Sequence, residues 1–590
     1  MTETNNQAKP IRWRVIGASL GVLFILMILL LVDLQFRGLA WQFMWSKTGE
    51  EAPVGQILGT IQWLGNFTRP QPQTKPLVPI AHTDAIPYSI NTFLHQEAEE
   101  AKREEQLRMI TAAGFGWIRE EFPWEDLEID GRGQFTDTRN DYDGDGEADT
   151  ISSWLKYDNI VDLTEEYGVT MLVRLSNPPT WSRSNPDSSN YAPPDDFDDF
   201  VNYAVAVAER YQGRIHYYQV WNEPNIFPEW GNQEPDPIAY TDLLCRTYDA
   251  LKAVDPDIVV VSGAIAPTQA LGGLNYQDLV FLTNMYEAGA GDCFDILAAQ
   301  GYGLFSGPTD ERLRFNQFGY QRHIYYRDIM VQYGDSQKAI WLSEAAWNPV
   351  LDAELPPEQI EAFSAYGEVT EAQAARYMPL AYQRAQEDWP WIGQISYWFF
   401  TRATDFEANQ SFFYFRMAEP DYSAEYPTFT PLPIYFAMQD YIREATTSPT
   451  LYTGTHQAES WEITAENPQV VLVEAAQFET AIETNNLVFV AEGTDIRLRI
   501  WAENDVQVIR DGTFTEKPIA PARGWQTVTI YQTLWRDNHH FTLESDMPFI
   551  VDSISISDRS AKNITLPLLA TLAICLIAAL QIGRLVLKRR

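Results

Sequence analysis

The chain has 590 residues, enough for more than one domain at roughly 100–200 residues each. Hydrophobic residues make up 45% and charged residues 21%, which excludes a disordered acidic chain, because this much apolar surface can offset the entropy of ordering. Asp and Glu total 81 against 42 Lys and Arg, a formal net charge of −39, which excludes a nucleic-acid partner held by phosphate neutralisation.

Residues 1–14 form a short N-terminus carrying Lys9, Arg12 and Arg14. Val15–Val32 then reads VIGASLGVLFILMILLLV, 18 residues without a charge, close to the hydrocarbon thickness of a bilayer. A transmembrane helix over 15–34 competes with a cleaved signal peptide. The run exceeds a usual signal core and no A-x-A-like cleavage site follows, so the retained span is expected. A linker over 35–85 comes next, with Trp41, Phe43 and Trp45 suited to a membrane interface and the Pro-containing stretch 70–79 suited to an extended spacer.

From 86 to 445, short β-type runs alternate with amphipathic helical stretches, the pattern of parallel βα units. Eight strand candidates can be counted, at 88–94, 116–122, 170–176, 215–223, 258–266, 294–303, 339–347 and 394–400. They predict an α/β fold, a (β/α)8 TIM barrel with enlarged loops. Over 446–560 the helical period disappears and short alternating segments such as NLVFVAE, IRLRIWAE and QTVTIYQT predict a β-sandwich. A carbohydrate-binding module and a structural stalk both use that architecture, and the pattern alone favours the stalk. A second uncharged run predicts a transmembrane helix over 564–585, followed by a cytoplasmic tail over 586–590; Arg584, Lys588, Arg589 and Arg590 flank its far side. With basic residues outside both spans, both termini are expected in the cytoplasm and the whole body on the other face of the cell membrane. The chain has three cysteines, too few for a disulfide scaffold or a thiolate metal cluster. Cys575 lies in the apolar run, and the pairing of Cys245 with Cys293 stays open.

Active sites of such barrels lie at the C-terminal ends of the strands. The fourth strand candidate ends YYQVWNEPN and the seventh IWLSEAAWN, which places Asn222, Glu223 and Glu344 at that rim. A lone glutamate is usually solvated or caps a helix. Two of them in apolar and aromatic surroundings are the constellation for cleaving a glycosidic bond, one as the acid that protonates the leaving oxygen and the other as a carboxylate acting at the anomeric carbon. Burial and mutual repulsion push the two pKa values apart. Trp124, Trp181, Trp230 and Trp347 fall in rim loops, where aromatic faces can pack on sugars or can simply fill the core.

W-N-E-P-N on strand four and S-E-A-A-W on strand seven resemble clan A of the glycoside hydrolases across residues 86–445. G-W-I-R-E-E-F-P-W and V-W-N-E-P-N look most like glycoside hydrolase family 39 and the related bacterial exopolysaccharide hydrolases, with family 5 the nearest rival. The resemblance implies that Glu223 is the acid/base and Glu344 the nucleophile of a retaining double displacement. It further implies that Asn222 bonds the sugar 2-hydroxyl, that Arg119 keeps the nucleophile ionised, that Tyr302 bonds it, and that Trp398 forms the floor under the sugar. Many clan members carry a His near the end of strand three, whereas this chain reads LVRLSNPPTWS, so Asn177 or Trp181 is expected to line the site instead.

DYDGDGEAD sets Asp141, Asp143, Asp145, Glu147 and Asp149 at positions 1, 3, 5, 7 and 9 of an EF-hand-like loop, with Gly146 at 6. Ser152 at position 12 replaces the bidentate glutamate, so either a weak Ca2+ site or a solvated acidic turn fits. No organic cofactor is implied. The expected activity is that of a membrane-anchored retaining β-glycosidase acting on a poly- or oligosaccharide. The alternative is a catalytically inactive glycan-binding surface protein on the same scaffold.

Overall fold

A computed structural model describes residues 27–141, 146–185, 188–421, 428–515 and 517–559, with positions 21, 24, 25 and 577. Eight parallel strands, Tyr88–Asn91, Trp117–Pro123, Thr170–Ser176, Tyr217–Val220, Val259–Val261, Leu297–Gln300, Ile340–Ala345 and Ile392–Tyr397, pair in the order 5-4-3-2-1-8-7-6. Parallel bridges Val261–Ile296 and Ile265–Ala299 join strands five and six and close the barrel. Helices follow the strands and are started by local chemistry. Asp196 and Asp236 cap Phe197–Arg210 and Pro237–Val254 with their carboxylates, and Thr370 with Gln373 forms a capping box on Glu371–Asp388.

Strand period two sorts the barrel interior into layers. At the N-terminal end Trp117, Tyr217 and Trp341 pack on one another, with ring centroids 4.8–5.5 Å apart. Two residues further along strands two and four come Arg119 and Gln219, and at the mouth of strands two and three come Glu121 and Arg174. Outward-facing Ile118, Val173 and Val220 are buried under the helices. Cys245 and Cys293 are disulfide-bonded, tying helix Pro237–Val254 to the turn before strand six.

After the barrel comes an antiparallel β domain with its own apolar core, including Phe489, Leu498, Phe541 and Ile554. The short segments read from sequence are fused here into long bent strands, Thr480–Trp501 and Gln526–Ser557. Register shifts at Thr484/Asn486 and Gly493/Asp495 let one strand turn from one neighbour to the next without leaving the ladder. The domain meets the barrel where Trp461 packs edge-on to Tyr88 and the Thr455 hydroxyl donates to the Leu77 carbonyl at 2.9 Å.

Residues 39–64, read as part of a linker, form two helices, Leu39–Thr48 and Pro53–Leu64. They dock on the loop after strand six: Lys47 pairs with Glu311 at 2.7 Å, Glu50 with Arg312 at 3.0 Å, and Thr309 donates to the Trp45 carbonyl at 2.6 Å. Among the described residues no single helix is long and apolar enough to cross a membrane. Met27–Gln35 and Leu39–Thr48, bent by 73°, meet that length and composition only as a pair. Most of the apolar run 15–26, and the second span at 564–585 apart from Ile577, lie outside the described residues.

Candidate active site

The fourth strand ends at Val220, and the next residue, Trp221, takes φ 76°, a left-handed conformation a bulky side chain rarely adopts. Its surroundings hold it there. The indole donates to the Glu229 carbonyl at 2.6 Å and the ring packs against Trp230 and Phe200. The chain then continues into Asn222 and Glu223. On strand seven the pairing shifts, with Leu342 and Glu344 opposite the consecutive residues Ala299 and Gln300. The extra residue is a bulge, and it lets both Ser343 and Glu344 find interior partners.

Glu344 is 4% exposed and Arg119 is 3% exposed, and their ion pair spans 3.0 Å. The Tyr302 hydroxyl donates to the other Glu344 oxygen at 2.7 Å. Arg119 also donates to the side-chain oxygens of Asn91 at 2.8 Å, Gln219 at 2.7 Å and Asn222 at 2.7 Å, so four acceptors fix the guanidinium. Burial pushes the Tyr302 phenol well above its ordinary range, and the Glu344 and Glu223 charges add to it, so the phenol remains a donor. Glu223 accepts from Gln300 Nε2 at 2.7 Å. Its carboxyl is pushed well above the usual carboxylate range by burial, and further by the neighbouring Glu344 and Glu229 charges. Glu223 is only partly covered at the surface, while protein surrounds it closely enough to penalise its charge. A carboxyl that keeps its proton and remains reachable can act as an acid.

Several residues around this pair carried no sequence signal. Glu229 accepts a hydrogen bond from the Asn222 amide and is pushed up to about 7, chiefly by burial, against the pull of Arg174. Glu121 lies deeper; burial would raise it, but Arg174 and His95 and the Ser176 hydroxyl, which donates at 2.7 Å, hold it near 2. Tyr366, from the loop after strand seven, packs near Tyr302 and feels both Glu223 and Glu344. The amides Asn91, Gln219 and Gln300 look like ordinary strand residues until the barrel closes around Arg119 and Glu223.

Trp398 follows strand eight; its amide donates to the Ala345 carbonyl at 3.2 Å, and its ring lies edge-on to Phe93. Asn177 and Trp181 have partners in the loop after strand two. The Asn177 carbonyl accepts from the Glu125 amide at 2.9 Å, and the Trp181 indole donates to the Glu128 carbonyl at 2.7 Å and packs edge-on to Trp124. Of the rim tryptophans, Trp124, Trp230 and Trp347 are buried core residues rather than sugar-facing platforms. Long loops need their own packing: Trp347 lies against Tyr320 and Tyr377, and it approaches Gly303 so closely that any side chain there would collide with the indole.

In the acidic loop, Asp143 and Asp145 lie outside the described residues. Asp141 accepts from the Gly146 amide at 2.8 Å, the kind of inward-turned amide such loops use. Among the described residues no group of three or more His, Cys, Asp or Glu could hold a metal ion.

No family model and no curated protein matches the chain. Among solved structures, it is similar to a family 39 glycoside hydrolase from Bacteroides cellulosilyticus WH2, at 16% identity and a TM-score of 0.42, covering 79% of this chain and 82% of that one. It is also similar to a monomeric beta-xylosidase from Caulobacter crescentus CB15, at 13% identity and a TM-score of 0.41, covering 81% and 97%. A family 30 endoxylanase from Clostridium papyrosolvens C71 matches at 13% identity and a TM-score of 0.38, covering 80% and 99%. At such values the chemistry of this chain has to be read from its own residues.

Proposed function

We propose that the protein is a retaining β-glycosidase that cleaves a poly- or oligosaccharide outside the cytoplasm, with Glu223 as acid/base and Glu344 as nucleophile. The observation that carries this reading is the asymmetry of two glutamates in one barrel mouth. Glu344 is clamped by Arg119 and Tyr302, whereas Glu223 accepts from a neutral amide and sits near two like charges that favour its proton, with Arg119 a weaker opposing influence. In the first step Glu344 attacks the anomeric carbon as Glu223 protonates the departing oxygen. The glycosyl–Glu344 ester then yields to water, from which Glu223, now ionised, takes a proton. In this reading Asn222, held by Arg119 and Glu229, bonds a sugar hydroxyl, and Trp398 forms the floor under the ring.

The membrane anchor and the outward-facing topology belong to the same proposal. Support comes from the apolar segment with its basic flank, and from the Cys245–Cys293 disulfide, since such bonds persist in oxidising compartments. A Ca2+ ion held by Asp141, Asp143, Asp145, Glu147 and Asp149 is proposed as a structural element, with no part in the reaction.

The test is mutational. Glu344→Gly is expected to abolish turnover, with azide or formate restoring cleavage to an inverted product. Glu223→Ala is expected to slow substrates with poor leaving groups most, because an activated aryl group needs little protonation. A wild-type product of inverted configuration would make Glu344 a general base. Full activity in both variants would mean that the active site lies elsewhere, and failure of the wild type to hydrolyse any aryl glycoside would leave the inactive glycan-binding protein.

A further inference from the structure

The two helices between the apolar segment and the barrel are amphipathic in the opposite sense to a helix packed on a protein core. In Pro53–Leu64, Gln56 is 0% exposed and donates to the Trp41 carbonyl at 3.1 Å, and Gly59 lies against Thr48 and Arg312. Val54, Leu58 and Ile61, at helical spacings of four and three, are 70%, 56% and 63% exposed. Leu64 and Phe67 continue the exposed stripe, and Leu39 and Phe43 expose a second one on Leu39–Thr48. The two stripes join where Phe43 packs edge-on to Trp63, itself edge-on to Phe67. No charged residue occurs from Ala52 to Thr68.

Continuity identifies what covers this face. The apolar helix Met27–Gln35 enters it through a 73° bend. With that helix along the bilayer normal, Leu39–Thr48 lies within about 20° of the membrane plane, the attitude of an interfacial helix. Phe36, at the bend, is 80% exposed and Phe43 is 51% exposed, whereas Trp41 and Trp45 stack on each other on the protein side. A net charge of −39 removes electrostatic attraction to anionic lipid, but an uncharged apolar stripe requires none.

We propose that the exposed face of Leu39–Thr48 and Pro53–Leu64 is embedded in the interface of the outer bilayer leaflet. The polar sides of the same helices are fixed to the loop after strand six by Lys47–Glu311, by Asn66 donating to the Glu311 carbonyl at 2.7 Å and by Trp63 donating to the Glu311 carboxylate at 3.1 Å. That loop starts at Tyr302, which bonds Glu344. The barrel mouth is therefore held at a set height and tilt over the lipid, so that its substrate is glycan lying at the membrane surface. This inference rests on the anchored topology to bring the face to the bilayer, and not on the identity of the reaction.

The test uses the full chain with Cys575→Ser, reconstituted in phosphatidylcholine vesicles, with a nitroxide at Val54→Cys, Leu58→Cys or Ile61→Cys; the disulfide-bonded Cys245 and Cys293 take no label. Glu209→Cys, on the exposed far face of helix Phe197–Arg210, is the aqueous control. Expected at 54, 58 and 61 is an excess of oxygen over nickel-chelate collisions that survives high salt, with the opposite order at 209. Nickel-chelate access equal to that at 209 would overturn the proposal. So would loss of both collision partners together with spin–spin broadening, which means that a second copy covers the face. Protease treatment of intact cells tests the topology separately: degradation of the body with both terminal tags protected keeps it, and loss of either tag refutes it whatever the nitroxides report.

Discussion

Glu229 gives the sharpest test of the electrostatics at the barrel mouth. Its carboxyl titrates near 7 in the folded protein, against 4.5 for an ordinary glutamate, with burial as the main cause. Between those values the folded state holds a proton that the unfolded state has released. The raised pKa therefore makes stability fall as pH rises from 4.5 to 7, by at most about 1.4 kcal/mol per pH unit, or ~3 kcal/mol in all. Partial solvent access reduces this to ~1–2 kcal/mol. Glu229→Gln has no such proton to lose and can still accept from Asn222. The two proteins should melt together at pH 4 and diverge above it, with the variant several degrees more stable at pH 7.5. Groups that do not interact with Glu229, such as Glu462, cancel in the difference. Glu229 also helps to raise Glu223, so the basic limb of the pH–rate profile should move to lower pH in the variant. A variant equally destabilised at both pH values, or less stable at 7.5, would mean that Glu229 is ionised and held by Arg174, and the account of Glu223 as a proton-retaining acid would lose one of its causes.

Tyr302→Phe removes one of the two charged or polar donors on Glu344 while keeping the ring against Phe415; activity on any substrate found should fall roughly 10- to 100-fold, with a melting temperature within a few degrees of wild type. Chelator should lower the melting temperature of the wild type, and Asp143→Ala with Asp145→Ala should remove that sensitivity; equal melting with and without chelator would support a solvated acidic turn.

The barrel was legible because each of its strands is a short apolar run with helical spacing on either side, and strand pairing needs little more than that. The connector helices were not, although their periodicity is strong. A stripe such as Val54, Leu58 and Ile61 has the same spacing whether it faces a core or a bilayer, and only the buried Gln56 on the opposite face shows which way the helix is turned. The rim tryptophans illustrate the same ambiguity. A loop position tells nothing of whether an indole meets sugar or, like Trp347, closes down on a glycine. The long bent strands of the β domain read as separate short ones because alternation is interrupted at each bend while the hydrogen-bond ladder continues through it.

At the candidate site, the residues with chemical character stood out in sequence, and their control did not. W-N-E-P-N and S-E-A-A-W mark two glutamates, but the difference between them comes from what surrounds each one. A bulge that no residue type announces gives Glu344 its place, and Arg119 reaches it only because Asn91, Gln219 and Asn222 occupy its other donors. Glu229 is six residues beyond Glu223 in a loop, where a glutamate is ordinarily solvated. The left-handed turn at Trp221 and the indole bonded to the Glu229 carbonyl fold that loop back toward Asn222. An acid that keeps its proton is thus made by three carboxylates sharing one buried mouth with too few cations, a property of the closed barrel rather than of any local segment.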